Sequence, residues 1–390
     1  MVQFLKSGEA KELFPGFNAR YVPTGHILYM LPNNNNLFAV QFDLAGLNVK
    51  GQRVSVLEGL VQYAISGSGT LAYIPVTWRP DVSKRTLVWV NREGKEEPLS
   101  APPNEYFEIR ISPDGKRVAL QAATPKSNIL IWDMVRKAMM PLTFDEGAGN
   151  TTPLWTPDGK RILYTSDPEN VLLGSVHWKA SDGTGEVEKL ASSPGRGLLP
   201  FSWSRDGKTL VLWEVTLNPV HLDIGIVSME GDHARRELLH ERYDVKEPAI
   251  SPNGSWMAYA SNESGKYEVY VCPFPDVNKG KWKVSTTGGN HPLWSPDGRE
   301  LFYNNGDATM AVPVETERQF KYGTPSILFR GTAGKIIGPV FMDVTDYTYW
   351  DISPDGKRFL MLKDDPAQAP RKINIVVNWF EELKQRVPVD

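Results

Sequence analysis

The stretch SPDGK at Ser112–Lys116 returns unchanged at Ser353–Lys357, and near copies lie between: TPDGK from Thr156, SRDGK from Ser204, SPNGS from Ser251 and SPDGR from Ser295. Two looser forms precede them, VPTGHILYM around Gly25 and ISGSGTLAYI around Gly69. A turn that recurs this often points to a repeat architecture before any local structure is considered. Aligned on the turn glycine, the units centre on Gly25, Gly69, Gly115, Gly159, Gly207, Gly254, Gly298 and Gly356. Successive glycines are 44 to 48 residues apart, except for a last step of 58 that carries the insertion GTAGKIIGPVFMDVTDYTY. The regular spacing is close to the length of a propeller blade.

Each unit reads as four short strands. A brief run enters, the polar turn follows, and an alternating strand such as RILYTS or ELFYN comes next. A third strand (NILIWDM, YEVYVCPF) and a shorter fourth (MPLTF, PSILFRG) complete the unit. The expectation is an all-β β-propeller of eight four-stranded blades filling residues 1–390 as a single domain. Seven blades is the alternative, if the divergent second unit pairs unusually. The last unit offers YWDIS, RFLMLK and INIVVNWF but no clear fourth strand. N-terminal strand material near Val2–Phe14 is expected to close the ring there, hiding the edges an open ring exposes. WFEELKQRV reads as about two turns of helix.

The W-S-P-D-G-K-x-L core of these units resembles the WD40-like repeats of TolB-type propellers. Similar repeats form propeller domains attached to prolyl-oligopeptidase-type enzymes and to bacterial receptor-like serine/threonine kinases. The closing run INIVVNWFEELK is similar to the end of such kinase-linked propellers. The resemblance covers nearly the whole chain. It implies a propeller fold, a sensor or scaffold role in a bacterial signalling or envelope system, and a periplasmic or extracytoplasmic location over a cytoplasmic one. It also leaves room for a longer, kinase-linked protein. Function does not follow from this fold alone.

The recurring Asp is the first candidate for chemistry, and the repeat itself argues against it. Proline presets the first corner of a β-turn, Asp bonds nearby backbone amides, and Gly accepts the positive φ that ends the turn. Asn253 takes the Asp place in one unit, Ser68 and Thr24 in two others. That set belongs to turns and caps, not to acids or metal ligands. The residue before each turn alternates between Trp (Trp155, Trp203, Trp294) and Ile (Ile65, Ile111, Ile250, Ile352), which marks a packing position.

Composition narrows the rest. A net charge of −3 and a pI near 6.1 argue against a nucleic-acid partner. No apolar run approaches the length of a membrane span, so no membrane insertion by this chain is expected, and the first residues do not read as a signal peptide. The one cysteine, Cys272, cannot form an internal disulfide or a CxxC pair. There is no G-x-S-x-G elbow, phosphate-binding glycine loop, kinase catalytic motif or H-E-x-x-H. The basic run RPDVSKR at Arg79–Arg85 reads as a solvated loop.

Function is therefore sought in the irregular residues beside the turns. Loops entering the innermost strands line one mouth of a propeller channel. The candidates there are Arg20, Tyr63, Tyr106, Arg196, Glu247, His291, Tyr347 and Tyr349, a Tyr- and Arg-rich set of the kind found at interaction surfaces. Two readings stand. One is a non-catalytic, monomeric module, without cofactor or metal, that binds a protein or small molecule at the mouth. The other is a metal-assisted lyase or lactonase-type hydrolase whose ligands, drawn from six scattered histidines and nearby carboxylates, converge in the channel.

Overall fold

A computed structural model describes residues 2–3, 10–31, 34–75, 84–123, 127–144, 149–168, 173–331, 349–364 and 373–388. The chain forms two compact units, one of Asp81–Gly338 with Met342–Ala367, the other of Met1–Pro80 with Pro339–Phe341 and Gln368–Asp390. Each of the eight turns joins the first two strands of its own antiparallel sheet. The all-β propeller fold and the eight blade sheets expected from the turns are present, six in the larger unit and two in the smaller.

In the larger unit the Gly115 blade shows the pattern. Tyr106–Ile111, Arg117–Ala123, Ser127–Asp133 and Ala138–Pro141 pair in that order. The Gly159, Gly207 and Gly254 blades repeat it, and the Gly298 blade carries a fifth strand. Second strands lie mid-sheet with a neighbouring blade over each face. Trp256–Ser261 (WMAYAS) is accordingly buried at every position, as a continuous apolar run between turns should be. The core is shared between blades: Ala258, Val269 and Val271 of one pack with Leu301, Tyr303 and Val312 of the next.

The six sheets close on themselves. A Cβ built on each turn glycine meets the turn corner of the preceding blade: Pro113 at Gly159, Pro157 at Gly207, Arg205 at Gly254, Pro252 at Gly298 and Pro296 at Gly356. The cycle ends where it began, with Gly115 against Pro354 at 3.2 Å. The Gly356 blade that completes it is composite. Trp350–Ile352 and Arg358–Asp364 supply its inner strands, Arg85–Asn91 and Glu96–Pro98 its outer ones. Closure thus uses strands from the N-terminal side of this ring, but not the ones expected. Val2–Gln3 pairs with Ala10–Lys11 instead, a short ladder that leaves the Gly356 blade to a later segment. Arg85, read as part of a solvated loop, is 1% exposed. Its guanidinium donates to Asp364 Oδ1 at 3.0 Å and to the Tyr106 carbonyl at 2.5 Å, pinning the closing strand at both sides.

The turns are built as punctuation. Asp114 Oδ1 accepts from Ser112 Oγ at 2.6 Å and from the Lys116 N–H at 3.1 Å. Asn253 Oδ1 accepts the same two bonds, from Ser251 Oγ at 2.7 Å and the Ser255 N–H at 3.1 Å. The hydroxyl bond, more than any charge, holds the Asp114, Asp158, Asp206, Asp297 and Asp355 carboxyls below the usual range.

In the smaller unit, Phe17–Val22, His26–Leu31, Asn34–Asp43 and Asn48–Leu57 form the Gly25 blade. The Gly69 blade has Leu60–Ile65, Leu71–Pro75 and, as its third strand, Asn374–Val376. INIVVNWF therefore does not extend the last turn's blade. Its strand part joins the second unit of the repeat, and the expected helix forms at Trp379–Arg386. Trp379 and Leu383 bury against Leu28, Met30, Val56 and Leu60.

His26 holds the end of that helix. It is fully buried, with Nε2 2.7 Å from the Val387 carbonyl and Nδ1 2.9 Å from Thr24 Oγ1. Burial lowers its pKa below 6.5, outweighing the two hydrogen bonds that raise it. The unfolded ring therefore takes up a proton before the folded one does. Its contribution is complete above the unfolded value and is lost as pH falls through the folded one. Amide exchange over residues 379–387, corrected for its intrinsic pH dependence, should speed up as pH falls from about 7 to about 5. In His26→Asn that acceleration should vanish.

Candidate functional site

One position recurs on the innermost strand of every blade, seven residues before the turn glycine. In the ring of six it is Glu108, Thr152, Pro200, Glu247, His291 and Tyr349. The strand breaks register beside it in the first five of these blades. Pro153, Pro248 and Pro292 follow directly, and a proline with no N–H to give is tolerated at such a bulge. Thr152, Glu247 and His291 have φ of 54°, 58° and 53°, left-handed values that non-glycine residues rarely adopt. The bulge brings Glu247 and His291 of adjacent blades together.

Three of the residues read as candidates from the sequence meet here. Glu247 Oε2 accepts the His291 N–H at 2.6 Å, and Glu247 Oε1 lies 3.1 Å from His291 Nδ1 without hydrogen-bond alignment. The His291 ring packs edge-on to Tyr349, centroids 5.0 Å apart, and the Tyr349 hydroxyl accepts from Asn304 Nδ2 at 3.3 Å. Lys246 Nζ sits 3.6 Å from Glu247 Oε1 and 4.1 Å from the centre of the Tyr267 ring. Lys246 and Glu247 are both fully buried. A lysine, a carboxylate and an imidazole are thus gathered on two adjacent blades.

Two residues further along the same strands, toward the turns, lies a recess of about 370 Å³. Arg110, Leu154, Ser202 and Asp351 line it, one from each of four consecutive blades, with Trp155, Phe201, Trp203 and Arg205 around them. The tryptophans are fixed from behind: Trp155 Nε1 donates to the Arg110 carbonyl and Trp203 Nε1 to the Trp155 carbonyl, each at 2.9 Å. The Arg110 guanidinium lies over Phe201, 5.0 Å from its centre. Asp351 accepts from the Ile111 N–H at 2.7 Å. Burial pushes its carboxyl up, against the pull of Arg110 and two backbone N–H groups. This recess is on the turn side of the ring, whereas the sequence reading looked to the incoming loops.

The remaining candidates have other work. Tyr106 is buried and donates to the Pro102 carbonyl at 2.7 Å, its hydroxyl pushed up to about 12 by burial. Tyr63 sits between the carbonyls of Asn18 at 2.8 Å and Leu28 at 3.1 Å, also raised by burial. Both anchor backbone. Arg20 is exposed on Phe17–Val22, and Tyr347 lies outside the described residues.

Arg196 belongs to a charge network that the sequence reading did not find. It spans one end of the Gly207 blade. Arg196 Nη1 donates to Asp223 Oδ2 at 2.7 Å and lies 3.3 Å from Glu214 Oε2. Arg235 grips the same Glu214 with two bonds. Gly225 makes room for that carboxylate, since a Cβ there would stand 1.9 Å from Glu214 Oε1. His240 Nδ1 and His221 Nε2 are 2.6 and 3.3 Å from Asp223 Oδ1. Among the described residues His221, Asp223 and His240 alone bring three metal-ligand atoms within 4.8 Å of one another. The available signal was the spacing in HLD, which places His221 and Asp223 on one face of a strand.

No protein-family model matches the chain. An uncharacterized peptidase of Bacillus subtilis, YuxL, is 26% identical over 221 residues, 54% of this chain and 31% of that protein. The chain thus spans about a third of that relative's length. Among solved structures, a TolB of Agrobacterium tumefaciens superposes with a TM-score of 0.55 at 16% identity, over 73% of this chain and 99% of that one. A TolB of Acinetobacter baumannii gives 0.46 at 14% identity, over 91% and 80%. No helix among the described residues is long and apolar enough to cross a membrane. Repeated polar turns, four-stranded blades and a ring closed by a composite sheet agree with the first of these likenesses: the fold of this chain is a TolB-type β-propeller.

Proposed function

We propose that this chain is a non-catalytic binding propeller, a sensor or scaffold module of a bacterial signalling or envelope system acting outside the cytoplasm. The observation that carries the reading is the turn-side recess, where two tryptophans, a phenylalanine and two arginines from adjoining blades surround one partly buried carboxylate. Aromatic and Arg side chains on a rigid frame are what hot spots are made of. By contrast, Lys246, Glu247 and His291 are buried, and among the described residues they bring no three metal-ligand atoms together. The partner is a protein segment or small molecule that offers a flat apolar face and a hydrogen-bonding group to Trp203 and Arg205.

Crosslinking and native mass spectrometry of the purified chain with cell-envelope extract would identify the partner. Trp203→Ala should then weaken its binding by about thirtyfold, the usual effect of removing a hot-spot tryptophan. Arg205→Glu, at an exposed position, should weaken it without disturbing the fold. Turnover of a sugar-acid polymer or a lactone that requires a divalent metal and is lost in His291→Ala would overturn this reading in favour of an enzyme.

A further inference from the structure

We propose that His221, Asp223 and His240 form a binding site for a first-row divalent transition metal, which fastens the third strand of the Gly207 blade to the segment leading into the next blade. His221 and Asp223 stand two apart on Val220–Ser228, and His240 directly follows the fourth strand, Arg235–Leu239. Two imidazoles and one carboxylate oxygen suit Zn(II) and its neighbours.

The His221 ring is surrounded by oxygen acceptors. Its Nδ1 faces Asp244 Oδ1 at 3.2 Å. Its Nε2 faces the Glu241 carbonyl at 2.9 Å and Asp223 Oδ1 at 3.3 Å. Every neighbour is an acceptor, and a neutral imidazole has one N–H to share between two nitrogens. A metal ion at Nε2 would leave that N–H on Nδ1, facing Asp244. The surroundings suit the metal. Asp244 is itself held, accepting from the Leu222 N–H at 3.1 Å and Asn262 Nδ2 at 3.0 Å. A fixed carboxylate on Nδ1 orients the opposite nitrogen as a ligand, the usual support behind a metal-bound histidine.

Distances point the same way. Ligands about 2.1 Å from a tetrahedral ion stand about 3.4 Å apart. His221 Nε2 and Asp223 Oδ1 are already at 3.3 Å. His240 Nδ1, at 2.6 Å from Asp223 Oδ1, must withdraw by under 1 Å, and its side chain is 49% exposed and free to do so. The charge balance is favourable: Arg196 and Arg235 face Glu214 and Asp223, and Asp244 adds a third carboxylate beside His221, so one negative charge is in excess among these five side chains.

Zn(II) titrated into the untagged chain by calorimetry at neutral pH should bind with one-to-one stoichiometry. Co(II) should give the visible absorption of a tetrahedral site. Binding should be lost in His240→Ala and in His221→Gln, and Asp244→Asn should weaken it about tenfold or more. Zn(II) should raise the melting temperature of the wild type and leave that of His240→Ala unchanged. His240→Ala also removes the ring's bond to Asp223, so each protein's melting temperature with Zn(II) is compared with its own metal-free value. If the wild type neither binds Zn(II) nor is stabilised by it, the proposal fails. It fails equally if binding survives in both histidine variants.

Discussion

Replacing Glu247 with alanine is expected to destabilise the larger unit by about 3–5 kcal/mol, the usual cost of removing one partner from a buried ion pair. Two losses combine. The His291 N–H loses the carboxylate oxygen it meets at 2.6 Å. Lys246, fully buried, loses the carboxylate 3.6 Å from its ammonium. Its contact with the Tyr267 ring remains but is worth only about 2 kcal/mol when desolvated. Glu247→Gln should cost less, because the amide oxygen can still accept from His291. Adding Lys246→Met to Glu247→Ala should recover part of the loss, since a buried pair is often no better than an apolar replacement. Urea unfolding followed by a probe in the ring would measure all three. A cost below about 1 kcal/mol for Glu247→Ala would mean that water reaches Lys246. The axis would then be a wet channel, and the Lys246–Glu247–His291 group would be open to a ligand after all.

How much of this was legible in the sequence depends on how local each feature is. The turns were fully legible, because Ser, Pro, Asp and Gly act within five residues of one another. Ser251–Asn253 even shows why the letter can change while the bonds do not. Blade sheets followed from turns for the same reason. Strand assignment at the ends was not legible. Arg85–Asn91 and Asn374–Val376 are both alternating third strands, and each was assigned to the turn just before it. The structure exchanges them: Arg85–Asn91 completes the Gly356 blade and Asn374–Val376 the Gly69 blade. Nothing in a period-2 pattern names its partner; only the edges left unpaired decide it.

The candidate residues divide along the same line. Glu247, His291 and Tyr349 share one register position, seven before the turn, and that position brings them together. Tyr63 and Tyr106 lie off that register, at places where a phenol is close to a strand carbonyl. A loop-based choice could not separate the two groups, whereas counting back from the turn would have done so. Arg196 joined a network whose other members come from the second, third and fourth strands of one blade and the residue after them. Its logic is across the sheet, and no linear spacing beyond His221–Asp223 reveals it.

The second large effect concerns the turn glycines. Gly254→Ala is expected to destabilise the ring by about 2–5 kcal/mol, from two sources. The first is conformational: φ is +78°, where an L side chain costs about 1–2 kcal/mol. The second is steric. The new methyl would stand 2.8 Å from Arg205 Cβ, a near-backbone atom that cannot swing aside, and overpacking of that kind costs about 1–3 kcal/mol. Gly231→Ala separates the two. Its φ is +85° but nothing lies within 4 Å, so only the conformational part, about 1–2 kcal/mol, should appear. Asp114→Asn, which keeps the oxygen that accepts from Ser112 and Lys116, should cost at most about 1 kcal/mol and leave partner binding intact. Chemical denaturation of the three variants gives the ranking directly. If Gly254→Ala costs no more than Gly231→Ala, the turns do not bear on one another. The ring would then be closed by its composite blade alone, with the recurring glycine a matter of backbone conformation. A larger cost at Gly254 makes each turn part of the joint between blades, so that the repeated motif both ends a strand and seats the next blade against it.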